Sequence, residues 1–137
     1  MCLALSVRSM LAALAASLAL PAVAQEEIAL PSGSTVTYHD FIWGEPGPAG
    51  LTIRFRFLDP DLPARKDVDG VIDATEDTQY LCEFFALERI STTGPEPAQI
   101  VISISDRPVE FGDPDPEATQ IFEAYSYRDG TCIWEMF

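Results

Sequence analysis

Leu51-Thr-Ile-Arg-Phe-Arg-Phe-Leu58 is the stretch whose reading decides the fold. In an extended chain Leu51, Ile53, Phe55 and Phe57 share one face, and Thr52, Arg54 and Arg56 share the other. One apolar face and one wet face is the pattern of an antiparallel sheet covered on a single side. Upstream, Thr35-Val-Thr-Tyr-His-Asp-Phe-Ile-Trp43 is rich in β-branched and aromatic residues and follows the turn-forming Pro31-Ser-Gly-Ser34. It reads as a second strand. The prolines and glycines of Gly44–Gly50 make a loop that joins the two as an antiparallel hairpin.

Downstream, Asp59-Pro-Asp-Leu-Pro63 ends the strand and Ala64–Gly70 reads as a polar surface loop. Helical spacing begins at Asp73, an N-cap with Glu76 three residues on, as in a capping box. Glu76 and Asp77 suit the positive end of a helix dipole. Leu81, Phe84, Phe85 and Glu88 form one stripe; Tyr80, Phe84 and Leu87 form an overlapping one. The spacing predicts a helix over 74–87, stopped by Ile90-Ser-Thr-Thr93 and Gly94-Pro95. Gln99–Ser105 is a strand with Ile100, Ile102 and Ile104 facing a core. Gly112-Asp-Pro-Asp-Pro116 is an acidic turn, and a short helical turn near Pro116–Gln120 stays open as an alternative. Composition would allow a helix over Ala118–Tyr127, but Arg128-Asp-Gly-Thr131 is a hairpin signal. It selects a strand at Phe122–Tyr127 paired with Cys132–Phe137. The expected fold is α+β: an antiparallel sheet of about five strands, one covering helix and one disulfide.

The first 24 residues stand apart. Arg8 precedes an apolar run from Met10 to Leu20, Pro21 ends it, and Ala22-Val23-Ala24 offers small residues to a signal peptidase. This is the three-part pattern of a secretory signal peptide at residues 1–24. The run is short for a membrane span. The expected mature chain is a single secreted domain, residues 25–137, periplasmic or secreted, with no membrane span after cleavage.

Removing Arg8 takes the formal charge from −14 to −15, with 22 acids against seven bases. So acidic a surface repels nucleic-acid phosphates and anionic lipid, and both partners are disfavoured. Cys2 leaves with the signal peptide, so Cys82 and Cys132 remain. In an oxidising compartment two cysteines most often form one bridge. A zinc site wants more ligands than His39, the lone histidine, can complete, and a redox pair usually reads Cys-x-x-Cys.

Several stretches resemble small exported proteins of unknown function from Rhodobacter-type alphaproteobacteria. They are Ser105-Asp-Arg-Pro-Val-Glu-Phe-Gly112, Ala118-Thr-Gln-Ile-Phe-Glu-Ala-Tyr125, Asp129-Gly-Thr-Cys-Ile-Trp-Glu135, Ile28-Ala-Leu-Pro-Ser-Gly33 and Arg54-Phe-Arg-Phe57. The resemblance implies export and a shared fold, and brings no activity and no site residues. Some such proteins carry an acetolactate synthase label. A domain of this size and acidity is too small to house thiamine diphosphate chemistry, so that activity is not expected.

Candidate chemistry is sparse. His39 lacks a nucleophile, and Asp40 should face away from it across the strand. Asp67, Asp69 and Asp73 suggest a calcium loop but lack an EF-hand's remaining ligands, and Asp113-Pro-Asp-Pro-Glu117 reads as a rigid turn. No metal site and no cofactor is expected. Asp106-Arg-Pro-Val-Glu110 can supply an ion pair at the sheet end. Arg54 and Arg56 are a basic exception in an acidic chain. They can pair with cross-strand acids or receive an anionic ligand or partner carboxylate. The expected function is a non-enzymatic binding or accessory module of the cell envelope, whose partner is an envelope protein or a small anionic ligand. The alternative is a small hydrolase working through paired carboxylates.

Overall fold

The alternation in Leu51–Leu58 is realised as strand β3, Thr52–Leu58, whose Ile53, Phe55 and Phe57 are wholly buried. The structure, a computed structural model, describes residues 17–20, 25–44 and 50–136. The expected signal-peptidase site, most of the signal segment, the centre of the Gly44–Gly50 loop and Phe137 lie outside the described residues. Six strands form one sheet in sequence order: β1 (Glu27–Ala29), β2 (Thr35–Trp43), β3, β4 (Gln99–Ser105), β5 (Gln120–Arg128) and β6 (Thr131–Glu135). Among the described residues no helix is long and apolar enough to cross a membrane.

Two expectations about the sheet are corrected. Among the described residues the strands number six rather than about five, because Glu27–Ala29 adds a short edge strand to β2. The sheet is also mixed: β3 and β4 run parallel, while the other four pairings are antiparallel. The physical reason lies in the connection. A parallel pair needs a long crossover, and residues 59–98 supply it with a helix in the middle. β4 is accordingly buried from Ile100 through Ser105, as a central strand of a mixed sheet should be.

The crossover helix is longer and less regular than the expected 74–87. α1 (Thr75–Leu81) runs through a π-helical turn, Cys82–Ala86, into α2, Leu87–Arg89. Asp73 sits one residue before the N-cap position, Ala74, and its carboxylate accepts the Thr75 N–H at 3.1 Å. The expected capping box is therefore replaced by a turn closed by Asp73 alone. That bond holds the Asp73 carboxyl below the ordinary carboxylate value.

Phe85, in the π turn, is the hub of the core. Its ring meets Tyr38 at 4.8 Å, Phe57 at 5.1 Å and Phe55 at 6.2 Å between centroids. Thr78 and Tyr125 share a buried hydroxyl–hydroxyl hydrogen bond of 2.7 Å between helix and sheet. The expected bridge is formed: Cys82 and Cys132 are bonded with Cα atoms 6.2 Å apart, tying the helix to β6. Beside it, Gln79 Nε2 donates to the Cys132 carbonyl at 2.6 Å and the Cys132 N–H donates to Glu83 Oε1 at 3.2 Å. The helix thus occupies one position of the β6 edge that another strand could otherwise pair with. The β5–β6 hairpin turns on Asp129 and Gly130, both with positive φ (52° and 77°), as an Asp-Gly turn of the primed type requires.

Candidate functional site

The wet face of the central strands carries the site. Cross-strand register sets Arg54 between Ile42 and Val101, and Arg56 between Asp40 and Ser103. Ser103 in turn lies opposite Phe122 of β5. The long connection 106–119 folds back over this face.

Arg56 is committed to the protein itself. Its Nε and Nη2 donate to the two Asp40 carboxylate oxygens at 2.6 and 2.5 Å, and its Nη1 donates to the Val109 carbonyl at 2.6 Å. The bidentate contact lowers the Asp40 pKa and raises that of Arg56. Arg56 therefore ties β2, β3 and the 106–119 connection together. The pairing with a cross-strand acid described for both arginines holds for this one.

Arg54 is different. Its guanidinium carbon lies 5.4 Å from the Phe111 ring centroid and 5.2 Å from that of Phe122, a cation held between two aromatic faces. Among the described residues no carboxylate lies within ion-pair distance of it. Burial, and then repulsion from Arg56, pull its pKa down from the ordinary value, although a guanidinium stays charged at neutral pH. Phe111 and Phe122 are themselves 59% and 55% exposed, so the sandwich opens to solvent. A cleft of about 180 Å³ lies here, and its lining includes Arg54, Ser103, Gln120, Phe111 and Phe122. Glu110 and Asp113 stand at the same cleft.

The other candidates resolve into structure. The expectation that Asp40 faces away from His39 is corrected. The β2–β3 register slips between Tyr38 and Asp40, which makes His39 the extra residue of a β-bulge. Alternation fails there, and His39 Nε2 comes to 3.8 Å from Asp40 Oδ2. His39, Ser103 and Ser105 line one cavity, but it holds only about 20 Å³, and the Ser105 hydroxyl donates to the Arg107 carbonyl. That arrangement leaves no room for a substrate and no free nucleophile at Ser105.

Asp67 closes its own loop, accepting from the N–H groups of Asp69 at 2.8 Å and Val71 at 2.9 Å. Asp115 likewise accepts the Glu117 N–H within the acidic turn. Among the described residues no group of three or more His, Cys, Asp and Glu is arranged to hold a metal. The Asp106-Arg107 pair forms at the sheet end at 2.9 Å, and Asp106 also accepts the Thr119 N–H.

One ionic cluster carried no sequence signal. Asp77 is 1% exposed and accepts from the Ser32 N–H, the Ser32 hydroxyl and Arg65 Nη2, at 3.0, 2.6 and 2.8 Å. Asp59 Oδ2 lies 4.0 Å from Arg65 Nη1, and neither atom has a hydrogen-bond partner. Burial raises the Asp59 pKa. These two carboxylates converge on Arg65 inside the protein, where they join the β1–β2 turn to the crossover. Only the tertiary fold brings residues 32, 59, 65 and 77 together.

No curated protein and no solved structure matches the chain. A family model does match, over residues 10–137, nearly the whole sequence including the arginine strand and the disulfide. The chain belongs to the family of unknown function DUF6497.

Proposed function

We propose that this protein is a binding or accessory module of the cell envelope, and that its working surface is the Arg54 cleft on the wet face of the sheet. The observation that carries the reading is the Arg54 guanidinium: a cation between two exposed rings with no carboxylate partner among the described residues, in a chain of 22 acids. A positive group left unpaired in so acidic a protein is available to an anion from outside. The export pattern in residues 1–24 supports the envelope setting, and an intact mass beginning at Gln25 for protein recovered from periplasm tests it. A hydrolase built on paired carboxylates gains no support from Asp59 and Asp77, which converge on Arg65: both are buried, and Asp77 accepts three hydrogen bonds.

A bound anion raises the melting temperature by mass action. The mature protein is melted with acetate, benzoate and phosphate against chloride at equal ionic strength. At least one of the three should raise the melting temperature of the wild type and leave that of Arg54→Gln unmoved. If none raises it above chloride, or if the variant responds equally, the cleft is not an anion site.

A further inference from the structure

The cleft around Arg54 also carries information about which anion it takes. Phe111 and Phe122 both lie against the guanidinium, whose carbon stands over their rings at 5.4 and 5.2 Å. No carboxylate among the described residues pairs with its N–H groups, which form a planar fork matching the two oxygens of a carboxylate. Beside it stand the Ser103 hydroxyl and the Gln120 amide as further hydrogen-bonding groups. The two rings and Val109 give the cleft an apolar part, beside Arg56, Glu110 and Asp113. A volume of about 180 Å³ is on the scale of the roughly 150 Å³ cavity that admits a single benzene ring.

Local charge sets the limit on ligand charge. The two arginines are opposed by three carboxylates: Asp40, bonded to Arg56, and Glu110 and Asp113 at the cleft. A singly charged ligand meets one free cation and modest repulsion. A dianion brings a second charge that no cation at the cleft remains to balance, against a chain of net charge −14.

We infer that the site recognises a monocarboxylate borne on a small apolar body, such as a single ring or short branched chain, and discriminates against phosphate. This inference rests on the reading of the cleft as an anion site and narrows it. The carboxylate's two oxygens accept from the Arg54 N–H edge while the apolar body lies against Phe111 and Phe122. A free acid and the C-terminal carboxylate of a peptide ending in an apolar residue present the same chemistry.

The test uses the mature, oxidised protein and follows its amide and arginine Nε–H resonances by NMR. The probes are phenylacetate, phenylacetamide, phenyl phosphate, and the peptide Ala-Ala-Phe with a free or an amidated C-terminus. Phenylacetate should move the Arg54, Ser103 and Phe122 resonances saturably. Phenyl phosphate should bind at least tenfold more weakly, and phenylacetamide should not saturate. Tighter binding of the free-acid peptide than of phenylacetate identifies a chain terminus as the source; the reverse order identifies a small acid. Phenyl phosphate binding as well as phenylacetate would overturn the monocarboxylate assignment and leave the anion site standing. Equal binding of phenylacetamide, or no saturable shift with any probe, would overturn both.

Discussion

Replacing Asp77 by Ala is the sharpest test of what holds the crossover to the sheet. Asp77 is 1% exposed, and its carboxylate accepts three hydrogen bonds. Two come from Ser32 in the β1–β2 turn, which water can satisfy once the carboxylate is gone, because Ser32 is exposed. The third comes from Arg65, whose side chain is only 16% exposed. Removal of Asp77 leaves that guanidinium with Asp59 at 4.0 Å as its nearest carboxylate and no short bond to it. Breaking a buried pair from one side costs about 3–5 kcal/mol, and partial exposure of Arg65 sets this case near the lower end, about 3 kcal/mol. For a domain of this size that is a fall of roughly 10 °C in melting temperature. Ser32→Ala removes one hydroxyl bond and should cost about 1 kcal/mol. Asp77→Asn keeps the shape without the charge and should fall between the two. Urea denaturation at neutral pH with the disulfide intact gives all three values. An Asp77→Ala cost under about 1 kcal/mol, or a cost below that of Ser32→Ala, would refute the assignment of the cluster as a structural tie.

Four further outcomes follow from the same geometry. Reducing the Cys82–Cys132 bridge, which spans 50 residues, should lower stability by about 4 kcal/mol, read as a shift in the urea midpoint with and without reductant. Asp40 and Asp106, whose carboxyls are held below the ordinary carboxylate value by their arginine partners, supply stability at neutral pH that is lost as pH falls through their lowered pKa values. Asp59 has the opposite sign: its raised pKa supplies stability at low pH that is lost as pH rises through it, so the wild type's advantage over Asp59→Asn should shrink from pH 3.5 to pH 7 in urea titrations. Gln79→Ala with Glu83→Ala should uncover the Cys132 backbone groups on the β6 edge and promote association, read as a concentration-dependent sedimentation coefficient that the wild type lacks.

The parallel pairing of β3 with β4 left a trace in the sequence that the alternation rule passes over. Ile100, Ile102 and Ile104 alternate, which suggests a strand with one dry face. Yet Val101 lies between two of them, and Ser103 and Ser105 are small enough to be covered as well; all are buried. A strand dry on both faces, preceded by a helix that follows another strand, is the pattern of a crossover unit. β1 was harder to see, because three residues give alternation almost nothing to act on. The Asp-Gly hairpin and the disulfide were legible because each depends on local chemistry or on a count of two. The Asp59–Arg65–Asp77 cluster was not, since its members meet only after the crossover has closed.

The two arginines show where periodicity stops. Alternation places Arg54 and Arg56 side by side on the wet face, and nothing within their own strand separates them. Their different fates are set by neighbours that only register supplies. The bulge at His39 shifts β2 so that Asp40, rather than the next alternating residue, faces Arg56. Arg54 instead meets Ile42, which offers no charge, and extends between Phe122 of β5 and Phe111 of the connection that follows β4. One extra residue in β2 thus spends one guanidinium on the fold and leaves the other for a ligand. On this reading the bulge is part of the site. Deleting His39 would remove the bulge yet leave Asp40 next to Tyr38 and still opposite Arg56, so the pair itself is tested by Asp40→Asn, which leaves that guanidinium without its carboxylate. Both arginines would then face the cleft as unpaired cations. The selectivity against phenyl phosphate should fall in that variant, provided it retains the wild-type far-ultraviolet dichroism. Unchanged selectivity in a folded Asp40→Asn variant would show that the Arg56–Asp40 pair plays no part in the choice of anion.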